Sequence, residues 1–298
     1  DAGPDVVHCH DTNTLGIGAQ AADSLGVPYV YDAHELYPDS LAQRPFQGSA
    51  PVQAYLRAAE RRWIPRALAV ITVCEGAAAV LNERFEVDPV IVANCPELQP
   101  IADRSLLKRT LGLSPDALVV LYQGGLQIGR AIDELVDAIA RVPQAHLVVQ
   151  GRGEYEQPMR QRIAERGIDH RVTFMGQVPH EQLFELTCGA DIGTVFLDGV
   201  TLNHRIAWTN RMFMYMMAGI PTAATDLPGA SAVLLPEGAG LVAPPGDVAA
   251  MAEVLARLAA DAALREQLGA AGRDAAERTY NWGVQEQRLL GVYERLGV

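Results

Sequence analysis

Lysine is almost absent from this chain, since Lys108 is the only one among 298 residues. Acidic residues outnumber basic residues by 36 to 24, which gives a net charge of -12 and leaves no extended basic face to neutralise a phosphate backbone. This balance excludes nucleic acid as an expected partner. A Schiff base with pyridoxal phosphate would require Lys108, which falls in a predicted linker helix away from the strand ends.

Cysteine is sparse, and long apolar runs are missing. The four cysteines, Cys9, Cys74, Cys95 and Cys188, are scattered and lack the short paired spacing of a structural zinc site. No run of about 18 apolar residues, the length that a membrane-spanning helix needs, occurs in the sequence. We therefore expect a reduced, cytoplasmic protein without a spanning helix.

Apolar runs rich in Val and Ile alternate with helix-length segments along the chain, which is typical of βα units in a parallel sheet. The pattern predicts an α/β fold, and the chain length fits two domains of modest size. Strands are predicted at Asp5–Cys9, Tyr29–Tyr31, Ala69–Val73, Val90–Val92, Leu118–Tyr122, His146–Gln150, Val172–Phe174, Ile192–Val195, Thr222–Ala224 and Gly240–Val242.

Two prolines and several polar residues at Asn94–Pro100 indicate a linker between the domains. We place the boundary near Leu98, which gives a Rossmann-like domain at 1–98, a second one at 99–279 and a terminal helix segment at 280–298. The first domain opens on a strand without a preceding unit, so we expect it to be incomplete. Alanine-rich sequence from Ala249 to Glu277 predicts helix.

Histidines follow the first two predicted strands. His34 comes after the second strand, at the carboxyl end where ligands collect in open α/β sheets, and its imidazole can hydrogen-bond a hydroxyl or a phosphate. We predict it as an active-site residue; a surface histidine is the alternative. His8 and His10 face the same way on the first strand. The spacing supplies no third ligand beside them, so we predict no metal.

A glycine-rich turn, Gln123–Arg130, follows the first strand of the second domain. The backbone N–H groups of Gly124 and Gly125, with the cation of Arg130, suit a diphosphate. A plain tight turn with a solvated arginine is the alternative.

Later turns fall on the same edge of the second sheet, at Gly151–Arg152 and Gln177–Val178. A helix then begins with Asn210 and Arg211, where we expect Asn210 to be the cap. Its positive N-terminal end suits an anionic or hydroxyl-rich ligand. A methionine-rich group on this helix is expected to be core packing: Met212, Phe213, Met216 and Met217.

Gly16, Gly18 and Ala21 match the G-x-G-x-x-A pattern of dinucleotide-binding proteins. In that fingerprint the first glycine lies in the turn directly after the strand. Here six residues, from His10 to Leu15, intervene and place the glycines inside a helix. We expect them to allow close helix packing instead.

The stretch Thr209–Asp226 resembles the Pro-Asn-Lys-Leu-Phe-Glu-Tyr-Met-Ala-Ala-Gly-Val-Pro block of the group 1 glycosyltransferases, which have the GT-B fold. Other family positions recur in the same order: the His-x-His at 8–10, His34, Gly124, Arg130, Gly151 and the Tyr280/Trp282 turn. The resemblance implies retaining transfer of a sugar from a nucleotide-diphosphate sugar to a sugar, lipid-linked or small-molecule acceptor. It implies no cofactor and no metal, and the sequence has no Asp-x-Asp pair.

The resemblance also implies a division of roles across a cleft between two facing domains. The catalytic residue on the acceptor side would be His34, and the terminal helix would cross back to the first domain. The donor diphosphate would contact Gly124, Gly125 and Arg130. The donor sugar and nucleotide would contact Gly151, Arg152, Gln177, Val178, Asn210, Arg211 and Met214.

The sequence departs from the family pattern at three positions. Met214 stands where the family has a ribose-binding glutamate, Ile206 where many members have a second glutamate, and Gly125 where the phosphate turn has a basic residue. Two alternatives therefore stay open, a noncatalytic glycosyltransferase-like module and a sugar-nucleotide epimerase.

Arginines surround Trp63 on a first-domain helix, at positions 57, 61, 62 and 66. Such a group could contact an anionic membrane that carries a lipid acceptor. A solvated helix face is the favoured explanation.

Overall fold

The computed structural model describes residues 3–41, 46 and 48–297; residues 1, 2 and 298, at the ends of the predicted domains, lie outside them. Contacts divide the chain into two units. Unit 1 comprises Asp1–Asn94, Thr201–Trp208 and Gly283–Val298, and unit 2 comprises Cys95–Val200 and Thr209–Trp282. No helix among the described residues is both long and apolar enough to cross a membrane.

The described part of the chain forms ten strands and fourteen α-helices. The strands are β1 Val7–His10, β2 Tyr29–Ala33, β3 Ala69–Thr72, β4 Val90–Ile91, β5 Leu118–Gln123, β6 Ala145–Gln150, β7 Val172–Gly176, β8 Ile192–Val195, β9 Thr222–Thr225 and β10 Gly240–Ala243. The helices are α1 Asp11–Leu25, α2 Tyr37–Leu41, α3 Ala50–Trp63, α4 Glu75–Phe85, α5 Leu106–Thr110, α6 Ile132–Ala140, α7 Glu156–Arg166, α8 His180–Thr187, α9 Leu202–Ile206, α10 Asn210–Ala218, α11 Pro228–Leu234, α12 Val248–Ala260, α13 Ala262–Arg278 and α14 Trp282–Leu296.

Each unit contains one parallel sheet among its described residues. The order is β1-β2-β3-β4 in unit 1 and β10-β9-β8-β5-β6-β7 in unit 2. All ten predicted strands are present, and the predicted α/β class with two Rossmann-like parallel-sheet domains is confirmed, the first being the smaller. Strand order reverses between β5 and β8, and ligands bind at such switch points in open sheets.

Close helix packing on the strands depends on glycine. A Cβ atom at Gly18 would lie 2.3 Å from Sγ of Cys9, so α1 contacts β1 directly. This confirms the predicted packing role for Gly18. A Cβ at Gly193 of β8 would overlap the ring of Tyr215 on α10. The methionine-rich group of α10 is fully buried, as predicted.

The helix predicted over Ala249 to Glu277 is present as two helices, α12 and α13, which are divided at Asp261. Asp261 has an extended backbone, and its carboxylate accepts the N–H of Leu264 at 2.9 Å. An aspartate that caps the second helix in this way favours a break over a continuous helix.

One carboxyl group is buried inside unit 1 without a hydrogen bond to any basic side chain that the structure describes. Glu60 of α3 is 4% exposed and accepts a hydrogen bond from the hydroxyl of Thr12 at 2.9 Å. The Thr12 hydroxyl also lies 3.2 Å from that of Tyr31. Burial raises the pKa of Glu60 from 4.5 to about 6.

We predict that Glu60→Gln stabilises the protein at pH 8 and has little effect near pH 4. Because the folded pKa lies above the unfolded value, protonated Glu60 contributes stability below pH 4.5 that is lost as the pH rises through about 6. The shift corresponds to about 2 kcal/mol. Urea unfolding at both pH values measures it, with the exposed Glu253→Gln as control. An equal effect of Glu60→Gln at both pH values would contradict the prediction.

Candidate functional site

Three imidazoles surround one carboxylate at the carboxyl ends of β1 and β2, because these strands are parallel and in register. His10 lies opposite Asp32, and His8 lies two residues earlier on the same strand face. His34 follows Asp32 by two residues, just past the end of β2. We call these four residues the histidine cluster.

Asp32 is the centre of the histidine cluster. Its Oδ2 atom lies 3.3 Å from Nε2 of His8, 3.3 Å from Nδ1 of His10 and 3.2 Å from Nε2 of His34. Nδ1 of His10 and Nε2 of His34 are 3.1 Å apart. Nδ1 of His8 contacts the hydroxyl of Tyr293 on α14. The His34 side chain is 37% exposed, so a ligand can reach its ring.

The electrostatics of the cluster favour an anionic Asp32 beside a basic His34. Burial opposes ionisation of Asp32, but hydrogen bonds from His34 and His8 outweigh it and hold the pKa of this carboxyl well below its usual range. The hydrogen bond to Asp32 likewise raises the pKa of His34 against the effect of burial. His34 can therefore keep a proton and donate it in a hydrogen bond to a hydroxyl or phosphate oxygen.

The loop that carries His34 is held by two side chains outside the cluster. Asp11 has a φ of +57°, which is uncommon for a residue other than glycine, and its carboxylate accepts the N–H of His34 at 3.0 Å. Asn203 of α9 accepts the N–H of Leu36 at 3.1 Å and donates to its carbonyl at 3.2 Å. These contacts fix the backbone on both sides of the imidazole.

In unit 2, the turns after β5, β6 and β7 pack backbone against backbone. Gly124, with φ +135°, donates its N–H to the carbonyl of Gln150 at 2.9 Å. Gly151, with φ +144°, donates to Gly176 at 2.8 Å. A Cβ at Gly151 would lie 1.9 Å from the carbonyl oxygen of Gly124, so only glycine fits. These turns form the carboxyl edge of the sheet at the switch point.

Arg211 of α10 reaches this edge from inside the protein. It is 8% exposed, its Nη1 donates to the carbonyl of Gln123 at 3.1 Å, and its guanidinium lies 4.9 Å from the ring centroid of Tyr122. A Cβ at Gly124 would lie 3.5 Å from the same Nη1. Among the described residues, no acceptor contacts the buried Nε and Nη2 atoms. A buried cation with unused donors therefore lies beneath the glycine turn after β5.

The other predicted residues of unit 2 differ in exposure. Gly125 is exposed and Arg130 is half-buried, and the N–H of Asp198, after β8, donates to Gly129 of the same turn at 3.1 Å. Arg152 and Gln177 are exposed, and Val178 is half-buried.

On α10, the prediction that Asn210 caps the helix is wrong. Thr209 is the N-cap, no side chain caps the end, and Asn210 is the exposed first residue of the helix. Met214 is half-buried, although its neighbours along the helix are buried, so it faces away from the core. Ile206, the other departure from the family pattern, lies in unit 1, where a Cβ at Gly76 would lie 2.5 Å from its Cβ.

A pocket of about 370 Å³ lies beside the turns after β6 and β7. Its lining comprises Arg152, Glu156, Arg160, Phe174, Met175 and Gly176. The guanidinium of Arg160 lies 3.8 Å from the ring centroid of Phe174, and its Nε and Nη2 donate to Glu156 at 3.0 and 2.8 Å. A flat cation over a ring, with a carboxylate alongside, suits a planar polar group.

Sequence reasoning missed Asp32, Tyr293 and the Glu156/Arg160 pair. Alternation places His8 and His10 on one face, and Asp32 shares the face of its strand with position 34. Only the register of β1 and β2 brings the two sets together. For Glu156 and Arg160, the i, i+4 spacing was the available signal.

We predict that Gly151→Ala costs more stability than Gly167→Ala. Both glycines have positive φ, which costs alanine about 1–3 kcal/mol, but a Cβ at Gly167 has no atom within 4 Å whereas one at Gly151 overlaps the Gly124 carbonyl. Denaturant unfolding measures the two free energies. Equal losses would show that the turns after β5 and β6 are not in the tight contact described.

Comparisons with known proteins identify the chain. Residues 117–261 match the family described as Glycosyl transferases group 1, and residues 1–96 match the Glycosyl transferase 4-like domain. The phosphatidyl-myo-inositol mannosyltransferase of Mycobacterium leprae is 27% identical over 301 residues, which span 97% of this chain and 73% of the relative. The D-inositol 3-phosphate glycosyltransferase of Jonesia denitrificans is 27% identical over 315 residues, spanning 99% and 72%.

Solved structures agree in fold. Sucrose-phosphate synthase from Thermosynechococcus elongatus matches with a TM-score of 0.85 at 22% identity, covering 98% of this chain and 73% of that one. HepE of Anabaena, in complex with UDP and glucose, matches with a TM-score of 0.82 at 18% identity, covering 98% and 78%. The two family matches follow one another along the chain and coincide with the two parallel-sheet regions. The chain is a member of the group 1 glycosyltransferases, enzymes of the glycosyl-transferring class.

Proposed function

We propose that this enzyme transfers a sugar from a nucleotide-diphosphate sugar to a hydroxyl acceptor, with retention at the anomeric carbon and without a metal. Unit 2 binds the donor, and unit 1 supplies His34. The names of the two relatives favour an acceptor of the inositol or inositol phosphate class. The UDP bound by HepE favours a nucleoside diphosphate donor.

The observation that carries the proposal is the incompletely paired guanidinium of Arg211, which is buried and donates only through Nη1 to an acceptor among the described residues. Burying a cation without a partner is expensive, and proteins rarely keep one unless something pairs with it. Two of its nitrogens have no acceptor among the described residues, and they lie beneath a glycine turn at the switch point of the sheet. A diphosphate seated on this turn would supply the missing acceptors.

On this proposal, Arg211 compensates for the basic residue that the family has at position 125. Arg130 and the N–H groups of the turn complete the diphosphate site. When the bond between the sugar and the diphosphate breaks, negative charge develops on the leaving phosphate oxygen. Fixed donors at that position stabilise the charge without reorganising, which is a large contribution to catalysis.

The donor base would occupy the pocket beside the turns after β6 and β7. Phe174 and Arg160 offer stacking surfaces, and Glu156 offers a carboxylate to base N–H groups. Gln177 and Val178 follow the same strand and would border the base. Met214 cannot accept the ribose hydroxyl hydrogen bonds that a glutamate would, so donor affinity rests on the other contacts.

His34 would bind a hydroxyl of the reacting sugar or of the acceptor. Oδ2 of Asp32 lies 3.2 Å from Nε2 of His34, orients the imidazole and favours its protonated form. The carboxylate of Asp11 accepts the backbone N–H of His34 and fixes the backbone at this position. A noncatalytic module is the second candidate, favoured by Gly125 and Met214, two positions where the family's donor-binding side chains are missing.

We predict that Arg211→Met weakens donor binding by about 10- to 100-fold, because each charge-assisted hydrogen bond contributes about 1.5–3 kcal/mol. The free energy of unfolding should stay the same or rise, since the substitution removes a buried charge. Calorimetric titration with UDP-, GDP- and ADP-sugars measures the affinity, and urea unfolding measures the stability.

Arg171→Met is the matched control. Arg171 is half-buried, and its Nη1 donates to the carbonyls of Val142 and Ala145 at 2.9 and 2.8 Å, at the amino end of β6. This variant should lose stability and keep donor affinity. If Arg211→Met instead lost stability and bound the donor like the wild type, Arg211 would be structural. Failure of the wild type to bind any of the donors would remove the enzyme proposal.

We predict that His34→Ala lowers turnover at least about 10-fold, by loss of the charged hydrogen bond to substrate, while donor binding to unit 2 is unchanged. Transfer to inositol and inositol phosphates is followed by chromatography, and the anomeric configuration of the product by NMR. The exposed His180→Ala is the control. Full turnover of His34→Ala would remove it from the mechanism. An inverted product would disprove retention, and saturable binding without any product would favour the noncatalytic module.

A further inference from the structure

We propose that Asp32, His10 and His34 form a binding site for a divalent transition-metal ion of the Zn²⁺ class, with His8 beside them as a candidate fourth ligand. The sequence offered two histidines on one strand face but no third ligand. Strand register supplies that ligand as the carboxylate of Asp32, whose oxygen lies close to ring nitrogens of His8 and His10. The loop after β2 adds His34, whose Nε2 lies 3.1 Å from His10 and 3.2 Å from Asp32.

The geometry of the histidine cluster matches the spacing of metal ligands. Oδ2 of Asp32, Nδ1 of His10 and Nε2 of His34 form a triangle with sides of 3.1, 3.2 and 3.3 Å. Two ligands of a tetrahedral zinc ion, each about 2.0–2.1 Å from the metal, are about 3.3 Å apart. The triangle therefore has the dimensions of one face of such a site.

The surroundings of the triangle also suit a metal. The side chain of Asp32 is 12% exposed and that of His10 is 60% exposed. The carboxylate therefore lies at the buried end of the site, and the site is open to solvent at His10. Nε2 of His8 lies 3.3 Å from Asp32 Oδ2, and its Nδ1 contacts the Tyr293 hydroxyl. Metal-binding imidazoles commonly use their second nitrogen in such a contact, which fixes the ring orientation.

The chemical types of the ligand atoms indicate the class of metal ion. Two or three imidazoles with one carboxylate suit Zn²⁺, Co²⁺ or Ni²⁺, whereas Mg²⁺ and Ca²⁺ prefer oxygen ligands. Cys9, between His8 and His10 on β1, points to the opposite face, where its Sγ lies against Gly18. The site therefore consists of nitrogen and oxygen ligands.

A metal bound here would occupy Nε2 of His34 and so replace the hydrogen bond with Asp32 that orients the imidazole in the proposed reaction. Zn²⁺ would then inhibit transfer, a consequence that rests on the proposed function. Metal binding itself is measured without substrate, so it can fail or succeed independently of donor binding and turnover.

The test is calorimetric titration of the chelator-treated protein with Zn²⁺, with visible absorption of the Co²⁺-substituted protein as a second readout. We expect one ion per chain and tetrahedral cobalt bands without thiolate charge transfer, because no cysteine faces the site. His10→Ala should weaken Zn²⁺ binding at least 10-fold, and His170→Ala, an exposed histidine of unit 2, should bind like the wild type. A saturating excess of Mg²⁺ should not compete.

Three results would overturn the proposal: no Zn²⁺ binding by the wild type, equal binding by the wild type and His10→Ala, or a thiolate charge-transfer band in the cobalt spectrum. Because His10 is largely exposed, its replacement should leave folding intact, which circular dichroism and the melting temperature verify. Should His10→Ala unfold, His34→Gln replaces it in the same titration, with the same expected loss.

Discussion

Every strand in the two described sheets runs parallel to its neighbours, and this constraint determines where the chemistry of the molecule lies. Parallel strands end at one edge, so the polar residues after each strand collect there although they are far apart in sequence. In unit 1 this edge gathers the histidine cluster, with His10 opposite Asp32. In unit 2 it gathers the glycine turns after β5, β6 and β7.

The two edges differ in the interactions that hold their polar groups in place. In unit 1, a buried carboxylate orients imidazoles and increases the basicity of His34, so the site can donate to oxygen or bind a metal. In unit 2, the absence of Cβ atoms at Gly124 and Gly151 allows two backbones to meet, which fixes the N–H groups of the turn. Arg211 adds a cation from the protein interior. A charge held in this way costs folding free energy, which a bound diphosphate would offset.

The structure shows where the three departures from the family pattern lie. Gly125 offers no side-chain cation at its exposed position in the turn, and Arg211 approaches the same turn from the buried side. Met214 faces away from the core and offers no hydrogen-bond acceptor comparable to a carboxylate. Ile206 packs in unit 1 against the backbone of Gly76. The chain keeps the fold of the group 1 glycosyltransferases although its side chains depart from the family pattern at these three positions.

Much of this could be predicted from sequence because it depends on local pattern. Val- and Ile-rich runs predicted all ten strands. The six residues from His10 to Leu15, which separate the first predicted strand from Gly16, correctly indicated that the glycines lie in a helix. Asp32 could not be recognised as the partner of His8 and His10, because the spacing of residues along the chain does not determine the register between two strands. The burial of Arg211 depends on tertiary packing of α10 on β8. The break at Asp261 was missed because alanine-rich helical spacing continues on both sides of a single capping residue.

The central claim is that a donor diphosphate binds on the glycine turn above Arg211. A crystal structure of the protein with a bound nucleoside diphosphate tests it most directly. We expect a phosphate oxygen within hydrogen-bond distance of the backbone N–H of Gly125, since the N–H of Gly124 donates to Gln150, with Nε or Nη2 of Arg211 donating to the diphosphate. A diphosphate bound elsewhere on unit 2, with Arg211 still lacking an acceptor, would contradict it.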